Sequence, residues 1–391
     1  MTNDETMMSI AANNTPNNNM RDRNPLRARP VRRKLTYRLE DMYPCKRDDG
    51  VEFHPFPDHT YFVPELKQTL ISVTTIVSLF FEPFNAQQVI ECMMRARTWP
   101  SNKYYGQTAE EIQATWATNG REASERGTRL HAAIECYYNH GDMTSFSDML
   151  PTSEYAHFQR YVADEVFSRN ALNDPVIPYR TEWTVYDETA NIGGTIDMVY
   201  KNVSDSTYTL VDWKRCKQIN KNANRRGKGI MSSYYDCNFT KYSLQLQMYR
   251  YILENTYGLK IRDMRLVVLH PLKNNYEVHA IDMDSELYTS IVPQIFQAMR
   301  AGGGAGGATN TTSCWSLEEL HKLATRRHTT SSCHSRSDSW DTGNLHFLKE
   351  EEEEEEGEIL EERVDESSGV GEACDESPAP FAQGVCLERS N

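Results

Sequence analysis

No stretch of this 391-residue chain approaches the roughly 18 consecutive apolar residues of a membrane-spanning helix, so no membrane partner is expected. The first twenty residues are Asn-rich, carry Asp4 and Glu5 and lack an apolar run, which fits neither a secretory signal nor a good mitochondrial presequence. None of the nine cysteines (Cys45, Cys92, Cys136, Cys216, Cys237, Cys314, Cys333, Cys374 and Cys386) forms a Cys-x-x-Cys pair. An odd, scattered set reads as reduced intracellular thiols rather than a disulfide framework. There is no His-Glu-x-x-His zinc motif, and no Gly-Lys-Ser/Thr follows the Gly-rich run at 302–307, so neither a zincin nor a phosphate loop is expected. Basic excess is missing too. The net charge is −14, but residues 301–391 hold 20 Asp/Glu against 7 Lys/Arg, which leaves residues 1–300 near neutrality. The acidic balance therefore describes the tail. A polyanion substrate needs only local basic surface on the rest.

What is present falls into three parts. Residues 1–60 read as a disordered arm, with a basic cluster of Arg21, Arg23, Arg27, Arg29, Arg32, Arg33, Lys34 and Arg38 that is either a solvated arm or a nucleic-acid or nuclear-targeting segment. Residues 61–300 carry the apolar patterning of a folded domain. Residues 301–391 read as a Gly-rich linker followed by a Ser/Thr-rich and then acidic low-complexity tail, with seven consecutive Glu at 350–356.

Within the folded part, residues 70–77 suit either a β-branched strand or a short helix starting at Ser72. Helices are predicted over 85–98, 108–118, 120–139 and 152–170, the last with Tyr155, Phe158, Tyr161, Val162 and Val166 at helical spacing. The period then changes. Strands are predicted over 179–187, 192–200 and 207–213, a helix over 241–257, strands over 262–270 and 276–282, and a closing helix over 284–300. This is an α/β plan with a helical N-terminal region.

Asp197 and Asp212 lie near the ends of two neighbouring predicted strands, and a hairpin would bring their carboxylates together. Asp212 and Lys214, two apart, share one strand face, with Trp213 turned away. Ile196, Met198, Val199, Leu210 and Val211 imply strands buried on both faces, where a charge wants a partner or a metal. Two carboxylates can hold a hard divalent cation, and a lysine beside them can orient water and offset charge on phosphorus. The bland alternative is a turn cap at Asp197 and a surface ion pair at Asp212–Lys214. His131 and Glu135, four apart on a predicted helix, suit a metal ligand with a carboxylate or an exposed ion pair. Gln245 and Tyr249 repeat that spacing, as do Gln247 and Tyr251 one face over; they are ordinary amphipathic residues or contacts to a phosphate backbone. Lys214, Arg215, Lys217, Lys221, Arg225, Arg226 and Lys228 form a basic stretch. Tyr104, Tyr105, Trp116, Tyr137 and Tyr138 suit either base stacking or a core.

In order, the chain carries Gly127, His131 and Glu135 on a helix; Gly194 and Asp197 on a strand; Asp212 and Lys214 on the next strand; then Gln245 and Tyr249 on a helix. This order resembles the PD-(D/E)XK nuclease superfamily, in particular its RecB-like exonuclease branch, and is similar to mitochondrial genome-maintenance exonucleases and nucleases of large DNA viruses and phages. Over about residues 70–300 the resemblance implies a restriction-endonuclease-like core, a central mixed sheet flanked by helices. It implies a Mg²⁺- or Mn²⁺-dependent deoxyribonuclease, more an exonuclease on ends or single strands than an endonuclease, working in DNA repair, replication or recombination. Asp197 and Asp212 would be the metal ligands, with the Trp213 carbonyl and His131 completing the shell and Glu182 a further acidic candidate. Lys214 would be the catalytic lysine; Glu135, Gln245 and Tyr249 would be accessory. Arg215, Lys217, Arg225, Arg226 and Lys228 would contact DNA phosphates. Some relatives carry an iron–sulfur cluster, but the downstream cysteines here are too dispersed for one to be expected. The implied setting is intracellular: nucleus, cytoplasm or mitochondrion, or a virus-encoded protein. The competing readings are an inactive nucleic-acid-binding module, a structure-specific endonuclease, and an unrelated metallohydrolase using His131 and Glu135.

Overall fold

The computed structural model describes residues 38–54, 60–171 and 174–302. The basic cluster up to Lys34, the acidic tail and the four cysteines from Cys314 onward lie outside the described residues. The folded body starts earlier than residue 61, with a helical turn α1 (Leu39–Met42) and strand β1 (Glu52–His54). Then come β2 (Thr60–Val63), β3 (Gln68–Ser72), α2 (Val73–Ser78), α3 (Ala86–Arg95) and α4 (Ala109–Tyr138). The two readings of residues 70–77 are both realised, because the Ser72 hydroxyl ends the strand and caps the helix by accepting from Thr75 N at 2.9 Å.

The two helices predicted over 108–139 are one. Thr108 and Glu111 form a reciprocal capping box at the start of α4. A mid-helix glycine costs only about 1 kcal/mol, and Gly120 passes through buried. The first half of α4 packs on α3 through Ile90, Met93, Tyr104, Ile112 and Trp116. Its second half packs on the sheet. The helix predicted over 152–170 is α5 (Ser153–Tyr161), a wide turn at Val162–Phe167 and α6 (Ser168–Ala171). The remaining elements are β4 (Val176–Asp187), β5 (Ile192–Asn202), β6 (Tyr208–Lys214), α7 (Asn238–Asn255), β7 (Ile261–Val268), β8 (Glu277–Ala280) and α8 (Val292–Gly302).

The eight strands form one open mixed sheet in the order β1-β2-β3-β5-β6-β7-β8, with β4 pairing β5. On one face, α2, α7 and α8 close a core around Phe80, Phe81, Leu244, Met248, Leu266 and Phe296. On the other, α4 and α5 close a core around Leu130, Ile134, Tyr155, Phe158 and Trp213. The sheet is forked. β3 pairs with β5 only at Ile71–Ile192 and Ser72–Gly193, whereas β6 pairs with it from Met198 to Lys201. Among the described residues, the strip 194–197 therefore has ladder partners only on β4. No described helix is long and apolar enough to cross a membrane.

Candidate metal centre

The site sits in this fork. Alternate residues of a regular strand face opposite sides of the sheet, so Ile196 and Met198 should share a face. They do not: Ile196 packs into the core under α7 and Met198 into the core under α4. The alternation of β5 slips at Asp197. The neighbouring strand distorts at the facing position, where Glu182 lies between the pairs Thr181–Met198 and Trp183–Ile196 with a left-handed φ of 46°. That conformation costs a non-glycine residue about 1–2 kcal/mol. Such strain persists where its surroundings enforce it, often at functional sites.

The distortion brings two carboxylates to one histidine. His131, reaching in from α4, donates from Nδ1 to Glu182 Oε1 at 3.3 Å and lies 3.7 Å from Asp197 Oδ1. One ligand atom from each of His131, Glu182 and Asp197 lies within 4.8 Å of the other two. The supports around them are fixed. Asp197 Oδ2 accepts from Trp213 N at 2.8 Å, and His131 Nε2 donates to the Trp213 carbonyl at 3.1 Å. Both contacts are possible because β5 and β6 part after Met198–Val211. The Thr181 hydroxyl donates to the Asp197 carbonyl at 3.1 Å.

Asp212 and Lys214 share a face as expected, 3.2 Å apart and buried, while the Trp213 ring points away against Phe158 and Tyr161. Asp212 is thus held by Lys214 and lies outside the three-residue cluster, which Glu182, the further acidic candidate, joins. Lys214 Nζ also lies 4.4 Å from the centroid of the Tyr242 ring. Glu135, one helical turn beyond His131, is half-buried and outside the cluster. Gln245 and Tyr249 are both buried, and Tyr249 leans so close to β5 that a Cβ on Gly194 would lie 2.6 Å from its ring. Gln247 and Tyr251 are engaged elsewhere: Gln247 donates to the Asp282 carbonyl at 2.8 Å and Tyr251 packs 4.3 Å from Phe296.

Electrostatics follow from this packing. Burial alone would lower the His131 pKa, but the carboxylates of Asp197 and Glu182 push it up to about 10. Burial raises Asp197 to about 6, against the pull of His131 and Lys214. The imidazolium sits between two carboxylates, where a cation is wanted. Two carboxylates and one imidazole within reach of one another make a donor set of the kind that hard divalent cations such as Mg²⁺ or Mn²⁺ accept.

The basic stretch after β6 divides. Arg215 was expected to contact phosphate. It lies on the face opposite Lys214, half-buried, with Nε 3.1 Å from Oε1 of buried Glu154. Lys217 is half-buried, and burial together with Arg215 and Lys217 drives the pKa of buried His270 down to about 4. Arg225 and Arg226 are exposed; Arg225 lies 3.6 Å from buried Asp236, and Arg226 stacks 3.8 Å over Tyr235. Lys228 lies 3.6 Å from Glu82. Of the aromatics weighed for stacking, Tyr104, Trp116 and Tyr138 are core residues, Tyr137 is half-buried, and Tyr105 is exposed. Two contributors escaped the sequence reading. Thr181 carried no signal, but Tyr242 lies seven residues before Tyr249 on the same stripe of α7.

No family model matches the chain, and no curated protein matches it. Among solved structures, the chain is similar to one titled "Crystal structure of SSO0001", at 13% identity over 57% of this chain and 71% of that one. The TM-score of 0.19 is too low for that likeness to say anything about fold or chemistry.

Proposed function

We propose that this chain is a divalent-metal-dependent nuclease that hydrolyses DNA phosphodiester bonds, acting as an exonuclease on ends or single strands. The observation that carries the reading is the convergence of His131, Glu182 and Asp197 in the sheet fork, with the buried Asp212–Lys214 pair on the adjoining strand. The PD-(D/E)XK-like order of motifs supports it.

Asp197, Glu182 and His131 would hold the ion, with the Trp213 carbonyl and Asp212 alongside. Bound Mg²⁺ or Mn²⁺ supplies Lewis acidity toward the phosphodiester and a lowered pKa for water. The chain's own part is preorganisation. The Trp213 amide fixes one oxygen of Asp197, leaving the other toward His131. Asp212 and the Tyr242 ring hold the Lys214 ammonium in place, where its charge is felt by both Asp197 and His131. A fixed ammonium can orient a water and offset charge gathering on phosphorus. Gln245 and Tyr249 wall the site from α7. Arg225, Arg226 and Lys228 supply phosphate contacts, which are independent of sequence and weaken with salt. DNA repair, replication or recombination is the setting that this activity suits.

The test incubates the purified chain with end-labelled single- and double-stranded DNA in Mg²⁺, Mn²⁺ or EDTA, beside closed circles. Metal-dependent loss of linear substrate with circles spared is expected. Absence of cleavage in either metal, or cleavage that persists in EDTA, refutes the proposal; cut circles refute the exonuclease part.

A further inference from the structure

The residues on either side of the strained rung at Glu182 are held by a segment far from it in sequence. Residues 39–50 run as a strap along β4. Arg180, only 2% exposed, donates to the carbonyls of Leu39 (3.2 Å) and Tyr43 and to Asp48 Oδ2 (3.2 Å). The Trp183 indole N–H donates to the other Asp48 oxygen at 2.9 Å. Cys45 N donates to Asp48 Oδ2 at 3.0 Å, which fixes the carboxylate within its own turn. Arg180 and Trp183 are three apart, so in a regular strand their side chains would leave opposite faces. Here both reach one carboxylate, and the guanidinium lies 5.2 Å from the Trp183 ring. The backbone between them must therefore change phase, and Glu182 with its left-handed φ is where it does so. The strap also touches the helix that carries His131: Leu39 N donates to Asn139 Oδ1 at 3.0 Å.

We infer that Asp48 is a positioning residue, which grips the residues on both sides of Glu182 and so holds the Glu182 carboxylate in the metal centre. The inference rests on the proposed metal-dependent function. Without the grip, β4 can return to regular alternation, relieving the strain and moving the Glu182 carboxylate away from His131. Asp48 touches neither His131 nor Asp197, so its effect passes through Glu182.

The experiment uses the full chain and Mn²⁺ as the probe. Asp48→Asn puts an amide N–H₂ in place of one of two oxygens that face donors. Trp183→Phe removes a single donor and keeps the packing. Calorimetric titration is expected to show Mn²⁺ affinity falling about tenfold in Asp48→Asn and less in Trp183→Phe, as for other groups that orient a metal ligand. In a Glu182→Gln background, Asp48→Asn is expected to change affinity by less than about twofold, because the route is already cut. In the metal-free chain, amide exchange at residues 181–184 is expected to accelerate in Asp48→Asn while that of β6 stays put. An equal loss of affinity in both backgrounds overturns the positioning role in favour of a general structural one. Unchanged exchange at 181–184 overturns the grip whatever the metal does. Failure of the unaltered chain to bind Mn²⁺ overturns the metal-centre reading, and the role assigned to Asp48 with it.

Discussion

Raising the pH should tighten metal binding by an amount set by one proton. A ligand imidazole must be neutral, yet without metal His131 holds its proton up to about pH 10 because Asp197 and Glu182 outweigh its burial. Between pH 7 and that value, each pH unit should change the apparent Mn²⁺ affinity about tenfold, with affinity rising as pH rises. Below about pH 6 the Asp197 carboxyl also protonates, and the dependence steepens. Mn²⁺ titration calorimetry from pH 6.5 to 8.5, in buffers of different ionisation heat, measures both the slope and the proton released. One proton per ion is expected near pH 7.5. The sign for stability is the reverse. The folded pKa of His131 stands above its unfolded value of 6.5, so its contribution is full below pH 6.5 and disappears as pH rises through about 10. Asp197, raised from 3.8 to about 6, adds a similar loss between those values. A flat affinity with no proton release, or a slope that survives His131→Gln, would show that His131 gives up no proton to the metal.

Three further outcomes can be checked by equilibrium unfolding and binding. Glu182→Gly should be more stable than Glu182→Ala by about 1 kcal/mol in urea, the reverse of the usual strand preference, because only glycine takes φ 46° without strain; equal stabilities would show that the backbone there is relaxed. Gly194→Ala should cost about 1–3 kcal/mol by driving a methyl to 2.6 Å from the Tyr249 ring, and pairing it with Tyr249→Leu should cost less than the two single losses summed. Arg215→Ala should cost about 3–5 kcal/mol by leaving Glu154 buried without its cation, with the salt dependence of DNA binding unchanged, whereas Arg225→Ala, which leaves Asp236 still paired with Lys241, should cost under about 1 kcal/mol and lower the salt slope by about one.

Much of this was legible in the chain because it depends on local pattern. β5, β6 and β7 were visible as runs of β-branched and apolar residues, and Tyr155, Phe158 and Tyr161 as one helix face, since burial selects those residues at those spacings. Asp212 and Lys214 on one face followed from the two-residue period alone. What was hidden depends on long-range contacts. Nothing near Gly120 says that α4 continues, because its continuity is settled by packing on α3 and on the sheet. β1 and β2 are short, and their pairing with β3 is invisible to periodicity. Glu182 stands out in the sequence as an acidic candidate, but its turn toward His131 depends on the phase break on β4, which Asp48 holds from more than a hundred residues away. Arg215 looked like its basic neighbours, and only the fold shows that it follows Trp213 to the α5 face, where it pairs with Glu154.

The most direct test of the central claim is single-turnover cleavage of end-labelled single-stranded DNA in Mn²⁺ by the unaltered chain and by Lys214→Ala, with Mn²⁺ affinity measured on the same preparations. A rate loss of about 10²–10⁴-fold is expected in Lys214→Ala with metal still bound, and no cleavage by either chain in EDTA. Full activity in Lys214→Ala, or cleavage that ignores EDTA, would contradict that claim.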